Sequence, residues 1–323
     1  MGSRLLFIIL LIIIGVASVQ IGAGVRELRA RAQYPAEGKF VDVDGVKIHY
    51  ERFGAGPDVI LVHGASGNTR DFTFGFVDLL KDDYRVTVFD RPGMGHSKQP
   101  DGYGGMFNRA GEPPILMAQL LKGAADKIGV KNPIVVGHSL GGALAMAWAL
   151  EFPDDTAGIV MLAGVSHPWP GDLNWQYPVN AHPAGGAIVV PVLSAFVPKA
   201  YVDGVVASIF EPQTAPAGYI DHVGTNLSLR RSALRANARQ VNGLRPHIVD
   251  MSKTYPQINL PIEAIHGDAD TIVPMEIHSI PLSERVANAN LTILEGVGHM
   301  PHHTNPQDAV DAINRVATRA GLR

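Results

Sequence analysis

Three short segments of this chain carry residues whose types and spacing suit nucleophilic catalysis. The first is Gly137-His138-Ser139-Leu140-Gly141-Gly142. It directly follows the apolar run 134–136 and precedes an Ala-rich segment of helical character, which places the serine in a strand–turn–helix. A turn that sharp crowds the residues two before and two after Ser139, and both are glycine. It would lift the hydroxyl to the start of a helix, where backbone N–H groups and the helix dipole favour a developing oxyanion. The plainer reading, a Gly-rich turn whose serine only caps the helix, explains this segment but not the two that follow.

A serine hydroxyl is a weak nucleophile, so it needs a base, and the base needs an orienting acid. Behind a strand–turn–helix serine these come from loops after later strands, in the order serine, acid, histidine. Ile265-His266-Gly267-Asp268-Ala269-Asp270 follows the next-to-last apolar run, and Gly298-His299 follows the last. The expected triad is Ser139, an aspartate of the first loop (Asp268 or Asp270) and His299. An oxyanion hole needs two N–H donors. Leu140 supplies one. The other is expected from His63-Gly64-Ala65-Ser66-Gly67, with Ala65 the first choice and Ser66 the second. This chemistry needs neither a metal nor an organic cofactor. The run His299-Met300-Pro301-His302-His303 finds no matching His/Asp ligand set elsewhere in the sequence, so zinc is not expected there. His302 and His303 read as cleft-rim or helix-start residues, and His138 as a packed one. The segment 90–97, Asp-Arg-Pro-Gly-Met-Gly-His-Ser, reads as a structural turn. A cleft contact by Arg91 or His96 is its alternative.

The surrounding pattern supplies the elements to position these groups. Alternation at 40–43 and 46–50 around Asp44-Gly45 predicts a hairpin. Apolar runs at 59–62, 85–89, 133–136, 158–162, 262–265 and 291–294 predict strands. Helices are expected at 72–80, 115–128, 140–152, 279–286 and 307–320. The resulting class is α/β, with a mostly parallel, doubly wound sheet. From residue 168 to about 256 the alternation stops, and the chain turns rich in Pro, Ala and Gly with one amphipathic helix at 230–241. This is read as a cap, which divides the chain into a core at 38–168 and 258–323 and an insertion at 169–257.

The chain has 323 residues, 46% hydrophobic, enough for a well-buried core in one catalytic domain. A net charge of −3 without Lys/Arg clusters argues against nucleic acid. The absence of cysteine excludes disulfides, thiolate zinc sites and a Cys nucleophile. Residues 5–25 carry no charge, long enough for a single-pass transmembrane anchor. The alternative is a signal segment cleaved near Ala17-Ser18, giving a secreted or periplasmic protein. Residues 26–37, charged and Ala-rich, are expected to be a linker.

With these motifs placed, the chain from about Gly38 onward resembles the α/β-hydrolase superfamily. It is most similar to the branch holding haloalkane dehalogenases, epoxide hydrolases, C–C bond hydrolases, cofactor-free haloperoxidases and small esterases. The shared marks stand here as H-G-A-S-G, D-R-P-G-M-G-H-S, G-H-S-L-G-G, G-D-A-D-T-I-V-P and G-V-G-H-M-P-H. The resemblance implies that the acid lies three residues after the glycine of its loop. That selects Asp270 and leaves Asp268 as a loop-capping residue. Dehalogenases and epoxide hydrolases of the branch use an aspartate nucleophile, whereas position 139 is serine, which suits attack on a carbonyl. A small, apolar carboxylic ester is therefore the expected substrate, with C–C hydrolysis, lactone opening and perhydrolysis as alternatives. A non-enzymatic, membrane-tethered binding protein would be expected to show a damaged triad, and none is visible. The apolar stretch 187–196 in the cap reads as the lining of a lid or, alternatively, as a membrane- or partner-docking face.

Overall fold

Asp44 and Gly45 both adopt positive φ, at 52° and 82°, the backbone a two-residue hairpin turn requires. They close β1 (Lys39–Val43) onto β2 (Val46–Phe53) in antiparallel register, Val43 opposite Val46. The computed structural model describes residues 2–105 and 107–323. Its sheet has eight strands, completed by β3 (Asp58–Val62), β4 (Arg85–Phe89), β5 (Ile134–His138), β6 (Gly158–Leu162), β7 (Ile262–Gly267) and β8 (Ala289–Leu294). Their order is β1-β2-β4-β3-β5-β6-β7-β8, and every pairing from β4 onward is parallel.

The central strands are buried on both faces, which is why they read as unbroken Val/Ile/Leu runs. Period-two alternation divides them between two cores. Ile60, Val62, Val135, Ile159 and Met161 face one core with α3 (Pro114–Lys127) and α4 (Leu140–Glu151). Two helices precede them in the chain, α1 (Gly2–Gln33) and α2 (Arg70–Thr73). Val59, Leu61, Val136, Val160 and Leu162 face the second core with the C-terminal helix Pro306–Arg319.

The regular elements of the insertion between β6 and β7 are all helices among the described residues. It contains α5 (Gln176–Ala181), α6 (Pro183–Phe196), α7 (Lys199–Ile209), α8 (Tyr219–Val223), α9 (Thr225–Ser228), α10 (Arg231–Asn242) and α11 (Leu244–Met251). After β7 come α12 (Ser279–Arg285), α13 (Pro301–Thr304) and the C-terminal α14. Only α10 was expected within the cap. The single helix expected over 72–80 is instead α2 and a separate short turn at Val77–Leu79, divided by Gly75 at φ 84°.

Residues 26–37, expected to be a linker, are helical as far as Gln33 because α1 does not stop at the end of its apolar stretch. Tertiary contacts hold this part of the helix. Gly22 lies close against Ala195 of α6, and Arg26 donates to the Val197 carbonyl at 2.8 Å. Glu27 receives a forked pair of hydrogen bonds from Arg231 at 2.8 and 3.0 Å. The preceding residues 5–14 are exposed and apolar, and α1 is long and apolar enough to cross a membrane.

The Glu27–Arg231 pair is only partly buried, so its net contribution is about 1 kcal/mol or less. Glu27→Ala is expected to leave the melting temperature within about 3 °C of wild type. Tryptic cleavage after Arg29 and Arg31 should accelerate several-fold, measured by mass spectrometry of a digestion time course.

Candidate active site

Ser139 sits between β5 and α4 with φ 53° and ψ −119°, a conformation that a residue with a Cβ enters only under constraint. Three backbone bonds impose it. Its N–H donates to the Leu162 carbonyl at 3.1 Å, and its own carbonyl accepts from Gly142 and Val165 at 2.9 Å each. The flanking glycines are sterically required. A Cβ on Gly141 would strike the Val62 carbonyl, and one on Gly137 would strike the carbonyl of Gly141. On the facing loop, a Cβ on Gly64 would lie 2.9 Å from Ser139 Cβ. The loop after β3 thus approaches the serine as closely as a glycine allows.

Asp270 and His299 come together from the loops after β7 and β8. His299 Nδ1 lies 2.7 Å from Asp270 Oδ2. The other oxygen of Asp270 accepts from the amides of Ile272 and Val273 at 2.8 and 3.0 Å. His266, a residue without an assigned role in the sequence reading, donates through Nε2 toward the Val273 carbonyl and Asp270 Oδ2 at 2.6 and 3.2 Å. Burial alone would raise the Asp270 carboxyl, but hydrogen bonds from His266 and His299 hold it well below the usual carboxylate range. Asp268 makes none of these contacts. Its side chain is exposed and accepts from the Gly296 amide at 2.6 Å, tying two loops together.

His299 is linked to the serine turn through its neighbour. His138 Nε2 donates to the His299 carbonyl at 3.0 Å, and the two rings lie 4.9 Å apart. The cap closes over the same loop: Gln213 accepts from the Gly298 amide at 2.9 Å and donates to the Gly296 carbonyl at 2.6 Å.

Of the two candidate oxyanion donors after β3, the Ser66 amide is committed to Asn237 Oδ1 on α10 at 2.7 Å. This favours Ala65. Leu140 is buried at the first position of α4, where an amide has no carbonyl one turn earlier to bond. Arg91, wholly buried, fixes the loop by donating to the His63 and Gly64 carbonyls at 3.1 and 2.9 Å, and reaches Gln240 of the cap at 2.5 Å. Burial pushes its pKa down to about 10. Asp90 binds His49 and the amides of Thr69 and His96 at 2.7–2.8 Å. Within the segment 90–97, Asp90 and Arg91 are supports, with Arg91 bonded to the backbone of the loop after β3.

His302 lies in the first turn of α13 but not at a rim: it is buried, and burial pushes it down to about 4. It packs with His138, His303 and Asp71 on the side of the elbow facing α2, and Tyr219 of the cap donates to Asp71 at 2.8 Å. The structure thus holds a serine in a constrained turn, an imidazole fixed by a buried carboxylate, and a single histidine, His138, that ties the loop of the one to the turn of the other.

His63 yields a pH prediction. Burial and the Arg91 charge lower it from 6.5 to about 4, outweighing the nearby carboxylates of Asp90 and Asp71. The unfolded chain therefore binds this proton more tightly, so the stability it confers is complete above pH 6.5 and is lost toward pH 4. The loss should be on the order of 3 kcal/mol. Urea midpoints taken between pH 7.5 and 4.5 should fall accordingly, and His63→Asn should flatten that slope.

Comparison with known proteins agrees with this fold. Residues 59–313 match the alpha/beta hydrolase family. A Synechocystis protein provisionally named a non-heme chloroperoxidase is 26% identical over 264 residues, covering 80% of this chain and 91% of its own. An esterase from Exiguobacterium antarcticum superposes with a TM-score of 0.68 at 19% identity, over 87% of this chain and 99% of that one. A bacterial membrane phospholipase A superposes with a TM-score of 0.59 at 18% identity, over 99% of both chains. The chain belongs to the alpha/beta hydrolase family.

Proposed function

We propose that this chain is a carboxylic ester hydrolase that works through an acyl-enzyme on Ser139 and is held at a membrane by α1. The observation that carries the reading is the 2.7 Å bond between His299 and Asp270, formed beside a serine held at positive φ. In the first half-reaction His299 Nε2 takes the hydroxyl proton as Ser139 Oγ bonds to the ester carbonyl carbon. The carbonyl π pair moves onto oxygen, where the Leu140 and Ala65 amides receive it, at about 3 kcal/mol per donor. When the pair returns, the C–O bond to the alcohol breaks and His299 protonates the leaving oxygen. Water then attacks the acyl carbon with His299 again as base, and Ser139 departs with the proton. Asp270 holds the imidazole tautomer and stabilises its cation.

Two features support an ester with an apolar chain. Ile188, Val192 and Phe196 stand one turn apart on α6 and are exposed, on the helix that packs against α1. The likeness to the membrane phospholipase A extends over 99% of this chain, so the shared fold includes α1. Retention of α1 as an anchor fits its contacts with α6 and α9 better than removal as a signal does.

The test is a p-nitrophenyl ester series of increasing acyl length on the full chain in detergent. Wild type should turn over, with a preference for medium or longer chains. Ser139→Ala should lose at least about three orders of magnitude in kcat, and Asp270→Asn on the order of three to four. Equal rates in wild type and Ser139→Ala would remove the reading. Edman sequencing of the membrane-extracted protein should find the N-terminus before residue 18. A start at Ser18 or later would replace the anchor with a cleaved signal.

A further inference from the structure

Asp71, His138 and His302 place three ligand-type atoms within 4.8 Å of one another, all buried, beside the candidate active site but outside the triad. They come from three separated parts of the chain: α2, the serine elbow and α13. Asp71 Oδ2 lies 3.4 Å from His302 Nε2 and 3.9 Å from His138 Nδ1. Ligand atoms around a tetrahedral Zn2+ with bonds of about 2.0–2.1 Å stand roughly 3.4 Å apart. A small inward movement of one ring would therefore complete the site.

Three further observations point to a cation. First, among the described residues the ion pairs of Asp71, a buried carboxylate, are with imidazoles alone. Second, His138 Nδ1 is buried and has no hydrogen-bond partner among the described residues, while Gly64 keeps the space beside it open. A buried nitrogen lone pair without a donor is a standing cost. Third, two of the three groups, His138 and Asp71, carry the second hydrogen bonds that orient zinc ligands. His138 donates its other ring N–H to the His299 carbonyl at 3.0 Å, which presents Nδ1 as a lone pair. Asp71 Oδ1 is held by Tyr219 at 2.8 Å and His303 at 2.9 Å, which leaves Oδ2 to ligate.

We propose that Asp71, His138 and His302 form a binding site for one Zn2+, with the fourth coordination position taken by water. Two imidazoles and one carboxylate are a donor set that suits zinc and disfavours magnesium or calcium. The bound ion would join α2, the elbow and α13 behind the candidate active site. It would also sharpen the His138 N–H that holds the His299 backbone. This proposal does not rest on the ester hydrolase reading, since every measurement below is of binding.

The test uses the full chain in detergent, freed of metal by chelation, and Zn2+ alone as probe. Calorimetry should find one tight site per chain, and the melting temperature should rise with Zn2+. Asp71→Asn and His302→Gln should each weaken binding by more than about tenfold while keeping the wild-type far-UV circular dichroism. Binding that is absent in wild type, or equally tight in both folded variants, overturns the site. Should either variant fail to fold, Co2+ added to wild type decides. The intense visible band of a tetrahedral nitrogen–oxygen site supports the proposal, and a weak octahedral spectrum or none rejects it.

Discussion

Everything in the site depends on one strained residue. Ser139 occupies a positive-φ conformation that costs on the order of 1–3 kcal/mol and persists only where its surroundings leave no alternative. Those surroundings are the sheet itself. Its N–H is held by the last residue of β6 and its carbonyl by the start of α4 and the loop after β6. The two flanking glycines permit contact that no side chain would. A doubly wound parallel sheet suits this purpose, because β5 lies at its centre and is buried on both sides. Cooperative packing of the two cores can absorb a local strain that an edge strand could not.

The cap is fastened to this frame mainly by polar bonds. Asn237 holds the Ser66 amide, Gln240 meets Arg91 and the Pro92 carbonyl, and Arg230 reaches the Gly95 carbonyl. Arg239 donates to the Tyr103 and Gly105 carbonyls at 2.8 and 2.6 Å. One helix, α10, supplies or adjoins all these contacts, so its position determines that of the loop expected to receive the oxyanion. The same helix bonds α1 through Arg231. The N-terminal helix, the cap and the loop after β3 are therefore one mechanical chain, and a force on α1 has a short route to that loop.

The parts of this site legible in the sequence are those written locally. The serine turn, with both glycines at fixed offsets, is one contiguous hexapeptide, and Gly298-His299 sits immediately after a strand. The Asp268/Asp270 choice was not local. The residues alone leave both open; the family resemblance singles out Asp270, and the fold has Asp268 capping the Gly296 amide while Asp270 faces His299. His266 was passed over because a histidine at a strand end has many roles, and only its reach to Asp270 distinguishes this one. Residues 26–33 were misread because a charged, Ala-rich stretch resembles a linker until its partner, Arg231, arrives from 204 positions away. The cap helices were hidden by composition. Helix α6 carries a proline at 191 and two glycines at its start, so no 3.6-residue pattern survives in it.

Asp71 shows where such reading ends and what lies beyond it. In sequence it is one acidic residue in a short polar loop, 67 positions before His138 and 231 before His302. In the fold it is a buried carboxylate ringed by imidazoles and a tyrosine, placed there by α2, β5, α13 and the cap together. A set of polar groups like this is costly to bury, and apolar residues of similar volume would pack as well. What an apolar cluster could not do is direct the His138 N–H at the backbone of His299 while leaving its other nitrogen toward Asp71. The polar cluster therefore gives the loop that carries His299 a defined position from behind, through a hydrogen bond that no apolar side chain could make.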